Sequence, residues 1–137
     1  MAMIITDIKQ IDHVAEETFG TAKGIISVDM KDYASIKERS GSMKAISIEV
    51  AALSEEALRS LDGLIAEVGK ENLSNILLYI RYNGSDAGIP VIAVEQLNML
   101  IEMFSRQNEA ANIIWGIGEG CESPGNVSIL IVLGYGD

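Results

Sequence analysis

Three segments of this 137-residue chain are apolar at nearly every position: residues 76–80, 113–117 and 127–133. A strand with one face in water alternates apolar and polar side chains, whereas a strand covered on both faces is apolar throughout. The three segments therefore predict a sheet whose two faces are both buried. Only two long helical segments follow residue 40, so the second face needs the amino-terminal helix or a partner subunit, and we expect a homo-oligomer.

The other segments have the periodicity of ordinary helices and of one more strand. Alternation at Ile46, Ile48 and Val50 predicts a strand over residues 43–50. Apolar residues that recur every three or four positions predict helices, and these cover residues 7–19, 30–38, 54–68 and 91–104.

The order of these elements predicts a topology. The strand–helix–strand passage from Asn75 to Ile117 indicates a parallel pair with a right-handed crossover. The last two strands, joined by residues 119–126, most simply form an antiparallel hairpin. We therefore predict an α+β fold: a two-layer sandwich in which helices pack against a mixed four-stranded sheet, within one domain that spans residues 1–137.

The net charge narrows the classes of partner, and the cysteine content indicates the compartment. The formal net charge of −10 repels nucleic acid and anionic lipid surfaces, so we expect neither nucleic-acid binding nor direct membrane contact. The sequence has no segment typical of an export signal. Cys121 is the single cysteine, which fits a reducing compartment, and we expect a cytoplasmic protein.

The segment from Gly24 to Asp32 is an apolar run that stops at two carboxylates spaced three apart. Considered on its own, this pattern favours a structural role. Asp29 would cap a helix that begins at Met30, and Asp32 in the first turn would interact favourably with the positive end of the helix dipole.

The spacing Gly-x-x-Ser-x-Asp-x-x-Asp in this segment also resembles a loop of the FtsZ/tubulin superfamily, in which it leaves one subunit to complete the GTP-hydrolysis site of the next. Residues 111–116, which lead through a Gly-rich loop into residues 127–134, look like the closing hairpin of the FtsZ carboxy-terminal domain. The elements between them follow the same succession. The chain thus resembles a free-standing FtsZ-like carboxy-terminal domain, with residues 24–137 as its core and residues 1–23 as a remnant of the linking helix.

This resemblance implies specific roles for four residues. Asp29 and Asp32 would polarise the water that attacks the γ-phosphate of a neighbour's GTP, while Gly24 and Ser27 would contact the neighbour's nucleotide. The family usually has asparagine at the position of Ser27, and a small or apolar residue at that of Lys31.

The chain has no counterpart of the family's Gly-rich phosphate loop. The resemblance therefore implies that it binds no cofactor alone, meets GTP only through a partner subunit, and is not an enzyme by itself. Its partner would be a second copy or an FtsZ/tubulin-like protein, and the chain would act as an assembly or regulatory module.

A second hypothesis comes from another class of protein. The same sandwich resembles the chorismate-mutase-like architecture, whose oligomers place small-molecule sites between subunits, although fold analogy is a weak warrant for function. An anionic substrate would need several cations to converge, and the available ones are Arg39, Lys44, Arg59, Arg81 and Arg106.

Other chemistry-bearing residues favour structural roles. His13 is the sole histidine, and we expect it at the surface rather than on a metal. Asp86, between two glycines, is read as part of a turn. The glycines at 116, 118 and 120 run from one strand toward another, so we expect a β-connection there rather than a phosphate-binding loop.

Overall fold

The computed structural model describes residues 2–19, 24–26, 29–50, 73–82, 112–119 and 127–136, together with helical positions at 59, 63, 98, 99, 101 and 102. The strands and helices, in chain order, are β1 (Ala2–Ile5), α1 (Ile8–Phe19), β2 (Gly24–Ile26), α2 (Met30–Arg39), β3 (Ser42–Val50), β4 (Leu73–Tyr82), β5 (Asn112–Glu119) and β6 (Val127–Tyr135).

The strands form one mixed sheet in the order β1-β3-β6-β4-β5-β2. β4 and β5 are parallel, as the strand–helix–strand pattern predicted, and the other pairs are antiparallel. The α+β class and the mixed sheet are thus confirmed. The four predicted strands lie side by side at the centre, and β1 and β2 extend the sheet to six strands.

The predicted hairpin between the last two strands is wrong. β4 lies between β5 and β6, so β6 pairs with β3 on one side and β4 on the other. Burial explains this position, since β6 is buried from Val127 through Gly134. A strand so uniformly apolar is best covered at the centre of a sheet, where neighbours also satisfy the backbone groups along both of its edges.

Both faces of the sheet are buried, which confirms the first prediction. On one face, here called the helix face, Leu77, Tyr79, Leu130 and Val132 pack against α1 and α2. On the opposite face the intervening residues of the same strands form a second cluster, and Ile101 packs against it. The amino-terminal helix therefore covers one face within a single chain, and the burial pattern by itself does not require a partner.

The two helices on the helix face follow their sequence patterns. α1 buries Ile11, Ala15 and Phe19 at helical spacing, and the Phe19 ring contacts the Tyr79 ring edge-on at 5.5 Å between centroids. α2 buries Tyr33, with Ile36 one turn later. Within the described part of the chain, no helix is long and apolar enough to cross a bilayer.

Several predictions fall wholly or partly outside the described residues. Of the predicted helices over 54–68 and 91–104, only Arg59, Gly63 and four positions near residue 100 are described, and these are helical. Asp86, Arg106 and Cys121 lie outside the described residues.

Candidate functional site

The amino terminus of α2 is built by the two acids singled out in the sequence. Oδ1 of Asp29 accepts hydrogen bonds from the backbone N–H of Lys31 at 2.9 Å and of Asp32 at 3.2 Å. Oδ2 of Asp32 in turn accepts from the backbone N–H of Asp29 at 3.0 Å. This reciprocal arrangement is a capping box, with aspartate in the place that glutamate often takes. The predicted helix cap at Asp29 is confirmed.

Both carboxylates remain accessible while they cap the helix. The Asp29 side chain is exposed and that of Asp32 is half-buried. Neither Oδ2 of Asp29 nor Oδ1 of Asp32 has a hydrogen-bond partner among the described residues. The capping bonds therefore fix the orientation of the pair, and one oxygen of each carboxylate is left to accept a hydrogen bond from outside the chain.

The segment before the cap is anchored at the edge of the sheet. Gly24 lies on β2 and pairs with Gly118 of β5, and Ile26 pairs with Ile117 across an irregularity in register. Ser27 lies outside the described residues, so its predicted nucleotide contact stays a prediction, as does that of Gly24. The acid pair thus lies between the edge strand β2, which pairs with β5, and the helix α2. Both neighbouring elements limit where the pair can lie.

A second polar cluster, which the sequence did not predict, joins α1 to α2. The Tyr33 hydroxyl donates to Oδ1 of Asp12, and the Lys37 ammonium group lies 3.1 and 2.9 Å from the two oxygens of the same carboxylate. These bonds hold the pKa of Asp12 below its usual value, with Tyr33 as the larger cause. Burial, and then the Asp12 carboxylate, raise the pKa of Tyr33.

Comparison with known proteins supports the fold. The sequence matches no protein-family model and no curated protein sequence. Among solved structures, it is similar to an empty dimer of FtsZ from M. jannaschii, at 19% identity and a TM-score of 0.59, over 93% of this chain and 40% of that one. It is also similar to the W319Y mutant of that FtsZ, at 19% identity and a TM-score of 0.61, over 93% of this chain and 41% of that one.

The chain has the fold of an FtsZ-like carboxy-terminal domain. It spans about two fifths of the length of the FtsZ chains that it matches. Identity at this level supports the fold alone.

The glycine motif lies partly within a strand. Gly116 and Gly118 are both residues of β5, where they pair with Tyr79 and Arg81 of β4. The third glycine, Gly120, lies outside the described residues. The described part of the motif therefore belongs to the sheet ladder, as expected of a β-connection.

His13 is at the surface, as the sequence predicted. Its side chain is 69% exposed and its Nε2 lies 2.9 Å from Glu17, one helical turn further on. Within the described residues, no group of three or more potential metal ligands comes together.

Of the five cations that a small-molecule site would draw on, four are described, and these four do not converge. Lys44 projects from the opposite face of the sheet, where its ammonium group lies 5.5 Å from the centre of the Tyr135 ring. Arg81 follows Tyr79 by two positions on β4, so it projects from the helix face. Arg39 is exposed near the end of α2, and Arg59 is exposed on its own helical segment. The alternative of an anionic-substrate enzyme gains no support from these positions.

Two clefts border α1. One, of about 360 Å³, lies beside β1 and is lined by Ile5, Lys9, Gln10, His13 and Val14. The other, of about 540 Å³, lies between the start of α1 and the end of α2, and is lined by Thr6, Asp7, Ile8, Lys37, Ser40, Gly41, Ser42 and Met43. Neither of these two clefts is lined by Asp29 or Asp32.

Proposed function

We propose that this chain is a non-enzymatic assembly or regulatory module that binds an FtsZ/tubulin-like subunit, either itself or a related protein, in the cytoplasm. At that interface it presents residues 24–32 to the neighbour's GTP. The chain binds no nucleotide alone. Asp29 and Asp32 act only in trans, on the water beside the neighbour's γ-phosphate, and Gly24 and Ser27 lie against the nucleotide.

One observation carries the proposal: the acid pair is both ordered by the capping box and open to solvent. A carboxylate that orients a water must be held in place before the water arrives, since misplacement of a catalytic group costs rate. The bonds from the backbone N–H groups of Lys31 and Asp32 hold Asp29 in this way. Exposure of the Asp29 side chain supports access by a partner.

To test this, the chain is mixed with a GTP-loaded FtsZ-type protein, such as that from M. jannaschii. Phosphate release reports GTP turnover, and co-sedimentation reports association. We expect the two proteins to associate and the rate of GTP turnover to change. Association without a change in turnover would remove the catalytic role of the loop and leave the assembly role. Absence of both would overturn the proposal.

Two variants separate capping from chemistry at Asp29. Asparagine caps a helix about as well as aspartate, whereas alanine does not. Asp29→Asn therefore keeps the helix start but removes the negative charge, and we expect it to abolish the effect on turnover while α2 stays intact. Asp29→Ala is expected to lose both the helix cap and the effect on GTP turnover. If Asp29→Asn alters GTP turnover as the unmodified chain does, the carboxylate acts only as a cap.

A further inference from the structure

The sheet ends at β1 in an outer edge that no strand of the described residues covers. β1 is the first strand in the order of the sheet, and it pairs with β3 on its inner side. In an antiparallel ladder, every second residue directs its N–H and C=O groups away from its neighbour. The outer edge of β1 therefore presents backbone donors and acceptors with which another strand can pair.

This edge lacks most of the features that keep sheet edges from pairing. Such features include charged side chains, proline and bulges. The sequence of β1, Ala-Met-Ile-Ile, has neither a charge nor a proline, and its register with β3 runs without a shift. At the other end of the sheet, the register of β2 is irregular. Of the two outer strands, β1 is thus the one suited to pair with a further strand.

An apolar cleft lies beside this edge. The cleft, of about 360 Å³, is lined by Ile5 of β1 and by Lys9, Gln10, His13 and Val14 of α1. Ile5 is buried, and the half-buried Val14 packs against the same cluster. Because Ile5 and Val14 line one cleft, α1 turns back beside β1. A strand that pairs with the outer edge of β1 therefore also meets this flank of α1.

The flank of α1 is complementary in charge to an antiparallel copy of itself. Lys9, His13 and Glu17 are exposed and follow one another at intervals of four residues, so they lie in one row along the helix. Within the chain, Nε2 of His13 lies 2.9 Å from Oε1 of Glu17, and both side chains are about two-thirds exposed, at 69% and 67%. When two such rows run antiparallel with the His13 residues opposite each other, Lys9 of each copy faces Glu17 of the other. Two symmetric ion pairs result.

We propose that the outer edge of β1 and this flank of α1 form a self-association surface, on which a second copy of the chain docks by antiparallel pairing of the two β1 strands. A two-fold axis perpendicular to the sheet relates the copies, since an isologous contact uses the same surface on both. It joins two six-stranded sheets into one of twelve strands. Both α1 helices then lie antiparallel on the same face, and the two clefts face each other across the axis.

This surface is separate from the acid pair. β1 and β2 are the outermost strands of the six-stranded sheet, so five strand spacings, or about 24 Å along the sheet, lie between them. A copy bound at β1 leaves residues 24–32 open to another partner, and the proposal does not depend on the role of Asp29 in GTP turnover. A four-residue strand and one helix flank make a small contact, so we expect weak, reversible dimers.

The first experiment measures the mass of the chain alone by sedimentation equilibrium between about 10 µM and 1 mM, a range that covers weak dimers. We expect a reversible monomer–dimer equilibrium. NMR of a mixture of copies with different isotope labels then locates the contact, and we expect nuclear Overhauser effects between the β1 strands of different copies. A chain that stays monomeric up to the highest concentration overturns the proposal and leaves the edge to an extended segment of a different protein. A dimer without contacts between β1 strands also overturns it.

Charge reversal tests the antiparallel arrangement of the helices. Lys9→Glu and Glu17→Lys each replace both symmetric ion pairs with like charges, so we expect each to raise the dissociation constant about tenfold. The double variant restores opposite charges in exchanged positions and should recover the original affinity. Arg39→Glu makes the same change of charge as Lys9→Glu at an exposed position of α2 and is the matched control. If Lys9→Glu and Arg39→Glu weaken the dimer equally, net charge rather than contact between the α1 helices sets the affinity, and the proposed arrangement is wrong.

Discussion

The Tyr33 hydroxyl donates a hydrogen bond to Oδ1 of Asp12 at 2.5 Å, and this bond links two helices that cover the same face of the sheet. Tyr33 is 2% exposed, and its ring packs in the cluster beneath α1 and α2 while the hydroxyl reaches the half-buried Asp12. Lys37, one turn after Tyr33, contacts the same carboxylate. Asp12 is thus the common acceptor through which α2 is fixed to α1.

Removal of the Tyr33 hydroxyl should therefore weaken the contact between the helices. We expect Tyr33→Phe to lower the free energy of unfolding by about 1.5 to 3 kcal/mol, because the ring stays packed and only a hydrogen bond to a charged group is lost. Lys37→Met, which removes an exposed ion pair, should cost less. Urea denaturation of the three proteins measures both effects. A larger loss from Lys37→Met would mean that the ion pair, not the tyrosine, fixes the helices.

The same cluster predicts how stability changes in acid. The pKa of Asp12 is lowered in the fold, chiefly by the Tyr33 hydrogen bond and then by that of Lys37. The folded carboxyl group therefore binds its proton less readily than the unfolded one. Its stabilising contribution is present above the ordinary pKa of 3.8 and is lost as the pH falls through the lowered folded value. The difference in unfolding free energy between the unmodified chain and Asp12→Asn should shrink across that range.

Alkaline pH should lower the free energy of unfolding through the ionisation of Tyr33. Burial, and then the hydrogen bond to Asp12, raise its pKa above the ordinary value of 10.0. Above that value the unfolded tyrosine loses its proton while the folded one keeps it, so stability falls as the pH rises. Tyr33→Phe should reduce this slope. Burial also raises the pKa of Tyr135, so part of the slope should persist in Tyr33→Phe and decrease further when Tyr135→Phe is added.

The sequence predicted features that depend on neighbouring residues. The cap at Asp29 is local, because all its hydrogen bonds lie within three residues, and the apolar runs follow from burial alone. The Asp12–Tyr33 bond joins residues 21 positions apart. The periodicity of each helix shows which of its faces is apolar, but not how α1 and α2 pack against each other, so the sequence did not predict this bond. The position of β6 between β3 and β4 likewise depends on which distant strands pair, and the pattern within β6 does not specify its neighbours. β1 and β2 have four and three residues, too few to show an alternation.

The capping box gives a stability prediction that is independent of any partner. We expect Asp29→Ala to lower the free energy of unfolding by about 1 kcal/mol, because the N–H groups of Lys31 and Asp32 lose their acceptor. Asp29→Asn should stay within a few tenths of the unmodified value, since the amide oxygen replaces Oδ1. Thermal and urea unfolding test both variants. Equal destabilisation by the two would mean that the negative charge, not the hydrogen bonds, stabilises the start of α2.

Gly134 of β6 lies against Ile36 and Ser40 at the end of α2, and this contact predicts the effect of adding a single methyl group. A Cβ at Gly134 would lie 2.1 Å from Oγ of Ser40 and 3.1 Å from Cγ2 of Ile36. Ser40 could rotate away only by giving up the 2.7 Å hydrogen bond from its hydroxyl to the Ile36 carbonyl. We expect Gly134→Ala to cost about 1 to 3 kcal/mol of unfolding free energy, the usual range for overpacking.

Two further variants test whether the clash with Ser40 sets the cost: Ser40→Ala removes the clashing group, and Gly63→Ala makes the same change where there is space. Ser40→Ala removes the clashing oxygen, so adding it to Gly134→Ala should recover part of the loss, as measured by a double-mutant cycle. Gly63 is helical, and a Cβ there would meet nothing within 4 Å. Gly63→Ala should therefore raise the unfolding free energy by about 0.5 to 1 kcal/mol, because alanine favours a helix over glycine. If Ser40→Ala recovers nothing in the double variant, the contact with Ile36 or the buried backbone of β6, rather than the serine hydroxyl, sets the cost at Gly134.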